Sequence, residues 1–174
     1  MIELQQRVFV GLDAPAFAPP VVAETVDLVA FANQFDDPSM RNKIERLEGL
    51  MKQVDAKVVI EPMHYFAKGL YARAIHIPKG TLLTGKIHKQ EHLNIVAQGV
   101  ISVLTEDGPQ TVRAPFTMVS KPGTKRVGYA LEDTVWITVH ATDETDVNKI
   151  DDELVVDTYE QYQTWALVFE PKES

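Results

Sequence analysis

Residues 80–99 read Gly80-Thr81-Leu82-Leu83-Thr84-Gly85-Lys86-Ile87-His88-Lys89-Gln90-Glu91-His92-Leu93-Asn94-Ile95-Val96-Ala97-Gln98-Gly99. In extended backbone, successive side chains point to opposite faces. Lys86, His88, Gln90, His92 and Asn94 therefore share one face unless a turn falls between them. Ile87, Leu93, Ile95 and Ala97 supply apolar surface around that polar row. Two histidines four apart are compatible with metal ligation, but the spacing alone discriminates weakly.

The same period of two runs outward from this stretch. Lys57–Ile60, Tyr71–Ile77, Leu93–Leu104, Thr111–Val119 and Val135–His140 read as strands. Turn chemistry separates them at Pro78-Lys79-Gly80, Gly85, Glu106-Asp107-Gly108-Pro109 and Pro122-Gly123. Short strands with frequent turns predict an all-β sandwich or barrel over residues 57–142. The flanks differ. Residues 1–56 hold a proline-rich arm, a short helix near 23–34 and a helix over Pro38–Val54, with Asp37 as N-cap and Pro38 at the first helical position. Met40, Ile44, Leu47, Met51 and Val54 form its apolar stripe. Residues 143–174 hold an acidic helix with Val147, Ile150 and Leu154 on one face, capped by Thr142 or Thr145. Tyr159, Tyr162, Trp165 and Phe169 follow as an anchor onto the barrel or a second subunit, and a homodimer through the terminal segments is expected.

The run from Gly80 to Gly99 resembles the first cupin motif: a glycine, His-x-His, an acid, then a second glycine. Lys121-Pro122-Gly123-Thr124-Lys125-Arg126 resembles the second. The resemblance spans residues 57–142 and implies a cupin-type jelly-roll β-barrel, here with an N-terminal helical arm and a C-terminal helix. It also implies a metal site, and there the chain departs from the pattern. Counted back from Gly99, Lys86 stands at the first histidine position, His88 at the second, His92 at the glutamate and Arg126 at the last histidine. Lysine and arginine offer no lone pair near neutral pH. The segments around these motifs also resemble small cupin-like proteins of tailed bacteriophages, which implies a viral setting and a host-cytoplasmic location.

Charge sharpens the reading. The chain has 174 residues, no cysteine and a net charge of −8. Disulfides, thiolate metal sites and a cysteine nucleophile are thereby excluded. Residues 1–56 carry nine acids and five bases, residues 143–174 ten acids and two bases, and residues 57–142 six acids and ten bases. The basic middle sits between acidic flanks that disfavour nucleic acid and anionic membranes. No stretch resembles a signal peptide or a bilayer span, so a cytoplasmic protein is expected.

The leading expectation is a cupin-like, non-catalytic protein binding a small anion, phosphorylated or nucleotide-like, at the barrel mouth. Lys86, His88, His92 and Arg126 supply donors, and Tyr129 stacks on a base or sugar. No metal is favoured. The first alternative is a divalent-metal cupin enzyme, an isomerase or oxygenase, using His88 and His92 with His140 as the extra ligand. The second is a structural or interaction protein of a phage with no pocket ligand. The plainest alternative leaves the basic residues facing solvent.

Overall fold

The computed structural model describes residues 27–53 and 58–169, apart from the side chains of Val29 and Phe31. The proline-rich arm, Val54 and Lys57 lie outside them. The described chain forms α1 (Leu28–Ala32), α2 (Met40–Met51), β1 (Met63–Ala67), β2 (Leu70–Ile77), β3 (Leu82–Thr84), β4 (Ile87–His88), β5 (His92–Gln98), β6 (Val100–Thr105), β7 (Gly108–Arg113), β8 (Phe116–Ser120), β9 (Val127–Ala130), β10 (Thr134–His140), α3 (Val147–Leu154), β11 (Val155–Val156) and α4 (Tyr159–Phe169).

Two antiparallel sheets face each other. One has the order β1-β2-β10-β5-β8, the other β3-β9-β6-β7, and β11 pairs with β4 at one end. The chain crosses from sheet to sheet at each corner, which makes a cupin-type jelly roll. Those corners are where the strands expected from sequence divide. Leu93–Leu104 is two strands in different sheets, broken at Gly99. Gly99 has φ +82°, and a Cβ there would stand 2.3 Å from the Asp133 carbonyl oxygen. No other residue fits that backbone and that approach. Thr111–Val119 divides likewise into β7 and β8. Residues 58–60 form no strand, and the short β1, β3, β9 and β11 lie where no strand was expected.

The core has three parts. Ile77, Val96, Ile101, Val103, Ala130 and Trp136 fill the space between the sheets. Leu82, Leu104, Val127 and Tyr129 project from the other side of the four-stranded sheet, where Leu28, Ala32, Ile44, Leu47 and Met51 of α1 and α2 cover them. Burying each large aliphatic side chain contributes about 1.5–3 kcal/mol. Tyr71, Ile150, Leu154 and Val155 form the third part, seating α3 on the five-stranded sheet.

The helix caps differ from expectation. Ser39 is the N-cap of α2, its hydroxyl accepting from the Asn42 amide, and Asp37 instead accepts from the Ser39 amide at 2.8 Å. Asp146, not Thr142 or Thr145, caps α3 by accepting from the Asn148 amide at 3.0 Å. In both cases the cap is the last extended residue before the helix, because that residue reaches the free amides of the first turn. Buried Lys125 ties α2 down, its ammonium 3.0 Å from Glu48, which also accepts from Thr84 at 3.0 Å. At the other end, Tyr162 of α4 packs on Gly123: a Cβ there would meet its ring at 2.6 Å. No helix of the described residues is long and apolar enough to cross a membrane.

Candidate functional site

The five-stranded sheet carries its polar chemistry inward. Register places His64, Arg73, Thr138, Asn94 and Met118 in one inward row across all five strands. The neighbouring row brings Tyr71 beside His140 and His92 beside Ser120. A turn at Lys89-Gln90 interrupts the long polar row expected from sequence, but His88 and His92 still meet. Their ring centroids are 4.0 Å apart, and each lies within 4.9 Å of the His140 ring. One ring nitrogen from each of the three lies within 4.8 Å of the others. Three strands, β4, β5 and β10, thus deliver one histidine each to a common point.

All three imidazoles are buried and neutral near pH 7. Burial holds His88 well below its usual range, and His92, His140, Arg73 and Arg126 add to the shift. Burial, with Arg126 and Arg73, lowers His92 to about 4 against the opposing hydrogen bond to Gln90. Burial, His92 and Arg73 lower His140 to about 3. His92 Nδ1 donates to the Gln90 carbonyl at 3.1 Å. That assigns its tautomer and leaves Nε2 with a free lone pair. His92 Nε2 and His88 Nδ1 are both buried without a hydrogen-bond partner. Buried polar atoms in that state are uncommon and costly.

Those orphaned nitrogens fit a cation. Neutral imidazole is the ligand that Zn²⁺, Fe²⁺, Ni²⁺ and Cu²⁺ favour. Two nitrogens on one cation at about 2.1 Å each cannot stand more than about 4.2 Å apart. The 4.8 Å limit on the trio therefore leaves only a small inward closing of the rings.

A cavity of about 90 Å³ opens beside the trio, lined among others by Arg73, Lys86, His88, Asn94, Arg126 and Trp136. Trp136 Nε1 donates to Asn94 Oδ1 at 2.9 Å, while Asn94 Nδ2 is buried without a partner. Arg126 donates to the Ser120 hydroxyl. Burial lowers the Arg126 guanidinium from its usual value. Among the described residues, neither Arg73 nor Arg126 has a carboxylate within ion-pair distance. A second cavity, about 20 Å³, lies under α3 and meets His88, His140, Arg73, Tyr71 and His64. There the Tyr71 hydroxyl and His64 Nδ1 are 2.7 Å apart.

The expected site residues separate into two groups. Lys86, His88 and Arg126 line the cavity, and His92 and His140 join His88 beside it. Lys86 is not a free cation, however: its ammonium is 2.6 Å from Asp151 and 3.5 Å from Asp157. Burial alone would lower its pKa, but Asp151 outweighs that and holds it above the usual value. Tyr129 is not in the cavity. Its inward neighbour on β9 is Gly128, and Tyr129 itself points to the helix-covered side, 5% exposed. Arg73, Asn94 and Thr138 went unassigned from sequence. Arg73 alternates with Ala74 and His76 along β2, but both faces of β2 carry apolar residues, so alternation alone does not say which face is inside. His76 proves exposed.

No protein-family model and no curated protein matches the chain. Solved structures do. The chain is similar to KdgF from Halomonas sp. at 19% identity and a TM-score of 0.44, over 53% of this chain and 88% of that one. It is similar to an RmlC-like cupin from Shewanella frigidimarina at 15% identity and a TM-score of 0.42, over 50% and 78%. A putative ethanolamine utilization protein Q from Salmonella typhimurium matches at 10% identity and a TM-score of 0.43, over 50% and 72%.

Proposed function

We propose that this cupin-fold chain binds a divalent first-row transition-metal ion at His88, His92 and His140, and a small anion at the adjoining Arg73 and Arg126. The observation that carries the reading is the convergence of three buried, neutral imidazoles, two of them with a ring nitrogen that has no partner. This reverses the order reached from sequence, where the anion ranked above the metal. Lys86 is neutralised by Asp151 and Asp157, so one of the two fixed charges of the anion reading is already spent.

The two ligands support each other. A cation beside two guanidinium groups is disfavoured by like charge, and an anion between them removes that repulsion. A cation held by three imidazoles keeps open positions and supplies a Lewis acid to any oxygen bound there. The chain's own groups do the rest. Arg73 and Arg126 bind and orient a carboxylate or phosphate, whose geometry suits the guanidinium fork. Asn94 Nδ2 donates to a polar atom of the same ligand. Ile75, Leu83, Ile101 and Trp136 exclude water from its apolar part. A cavity of about 90 Å³ suits a small organic acid or phosphate ester better than a whole nucleotide. A role without any pocket ligand would favour a filled or apolar interior, and this interior is neither.

The test is metal analysis of the full chain after reloading with Zn²⁺ or Co²⁺, followed by titration with inorganic phosphate and small carboxylates. One equivalent of metal per chain, lost in His140→Ala, is expected. Loading equal to that of His140→Ala would overturn the metal site. Unchanged anion affinity in Arg126→Gln and Arg73→Gln would overturn the anion site.

A further inference from the structure

The cavity between the sheets has two ends of different chemistry. Across the five-stranded sheet, Arg73, Thr138 and Asn94 form one inward row. The next inward row, two residues along each strand and about 7 Å away, is Ile75, Trp136 and Val96. Leu83, Ile101 and Val103 face it from the four-stranded sheet. The end beside the histidine trio offers donors: Arg73, Arg126 and the unpartnered Nδ2 of Asn94. The far end offers none among the described residues. Trp136 Nε1 already donates to Asn94 Oδ1 at 2.9 Å. β2, β10, β9 and β6 are interior strands, so their backbone groups are spent in the ladders. Gly128 lines this end too. A Cβ there would stand 3.0 Å from Ile101 Cδ1 and 3.4 Å from Leu83 Cδ2, so its absence leaves room between those side chains.

We propose that the ligand of the anion site at Arg73 and Arg126, on which this rests, is a short carboxylate with a hydrocarbon body free of hydroxyl groups. Its carboxylate lies on the two guanidinium groups and Asn94, and its body runs between Trp136 and Ile101 toward Gly128. Size agrees. At about 10–15 Å³ for each water-sized atom, a cavity of about 90 Å³ holds about six to nine non-hydrogen atoms. A sugar acid of that size would bury its hydroxyls against groups that cannot pair with them. Each unpaired hydroxyl weakens binding about five- to a hundredfold. A carboxylate joins its body through carbon, whereas a phosphate ester brings a bridging oxygen into the row of Ile75 and Trp136. The apolar end therefore sets specificity, and the charged end sets orientation.

The test is calorimetry on the full chain with 3-methylpentanoate and 3,4-dihydroxybutanoate, two acids of one shape and about eight non-hydrogen atoms, beside inorganic phosphate. Titrations of Zn²⁺-loaded and metal-free chain read the metal site separately. The hydrocarbon acid is expected to bind roughly thirtyfold or more tightly than the dihydroxy acid. Gly128→Ala, which shortens the far end, is expected to weaken 3-methylpentanoate about fivefold or more and to leave acetate unchanged. Should that variant lose its circular dichroism signature, Ile101→Val carries the same test in the other direction, by favouring a longer acid over 3-methylpentanoate. Equal affinity for the two acids, or tighter binding of the dihydroxy acid, overturns the proposal and leaves the anion site standing. Phosphate bound with neither acid bound does the same. Affinities unchanged in both Gly128→Ala and Ile101→Val place the body elsewhere and also overturn it. Binding of none of the three anions overturns the anion site, and this assignment with it.

Discussion

At one end of the five-stranded sheet the two faces invert the usual arrangement, while at the other end Ile77, Val96 and Trp136 point into the core. The inward rows hold Arg73, Thr138, Asn94, His92 and His140, and the outward rows hold Val139, Leu93, Ile95, Ile137 and Val119. Along β5 the alternation is a single residue: His92 in, Leu93 out, Asn94 in, Ile95 out. Sheets packed on a core usually point apolar side chains in and polar ones out. A polar interior is stable only where its groups find partners, and an apolar exterior only where something covers it. The polar inward rows therefore direct attention to a ligand inside. The four-stranded sheet has no such conflict, because its apolar outer residues meet α1 and α2.

Each face can be broken separately. The largest effect is expected inside. Removing one of three ligands by His140→Ala should lower Zn²⁺ affinity by more than the roughly 10- to 100-fold lost with an outer hydrogen-bond partner, read by competition with a chromophoric chelator. His88→Ala should match it. An equal affinity in either variant would mean the trio is not the site.

Acid comes next. His92 and His140 are held at about 4 and about 3, below the ordinary 6.5. As pH falls, the unfolded chain takes up these protons before the folded one does. The stability of the metal-free protein is thus fully present above pH 6.5 and is lost as pH falls toward the folded values. Each of the two histidines costs about 2 kcal/mol by pH 5. Urea midpoints from pH 7.5 to 5 check this, and a flat profile would place the rings in water.

A smaller inward effect belongs to the anion. Arg126→Gln should weaken phosphate or carboxylate binding about tenfold or more, because a hydrogen bond to a charged group is worth about 1.5–3 kcal/mol. Metal stoichiometry should not change. Calorimetry on the metal-loaded chain reads both. The smallest effect is outward. Val119→Thr should alter unfolding stability by about 0.5 kcal/mol or less, as at an ordinary exposed position, read by urea midpoints.

Much of this was legible in the chain, and the limits have physical causes. Gly99 and Gly123 were marked by motif spacing, and the structure gives the reason: a Cβ at either would collide with the Asp133 carbonyl or the Tyr162 ring. The helical flanks and the period-two middle were legible because periodicity is local. The corners were not, since the apolar alternation of Leu93–Leu104 runs on while the chain passes from one sheet to the other at Gly99. His140 was named only as an extra ligand. It lies far from His88 along the sequence, and only the register of β10 beside β2 and β5 brings it near. Lys86 lines the cavity, but its ion pair was not legible, because its partner Asp151 sits on α3, which no motif links to it. Arg73 was missed where both faces of β2 looked equally apolar.

The most direct measurement is the Co²⁺ absorption spectrum of the full chain, titrated to saturation beside His140→Ala. The account predicts visible bands that saturate at one equivalent per chain in wild type and vanish in the variant. Bands of equal strength in both, or none in either, would contradict it.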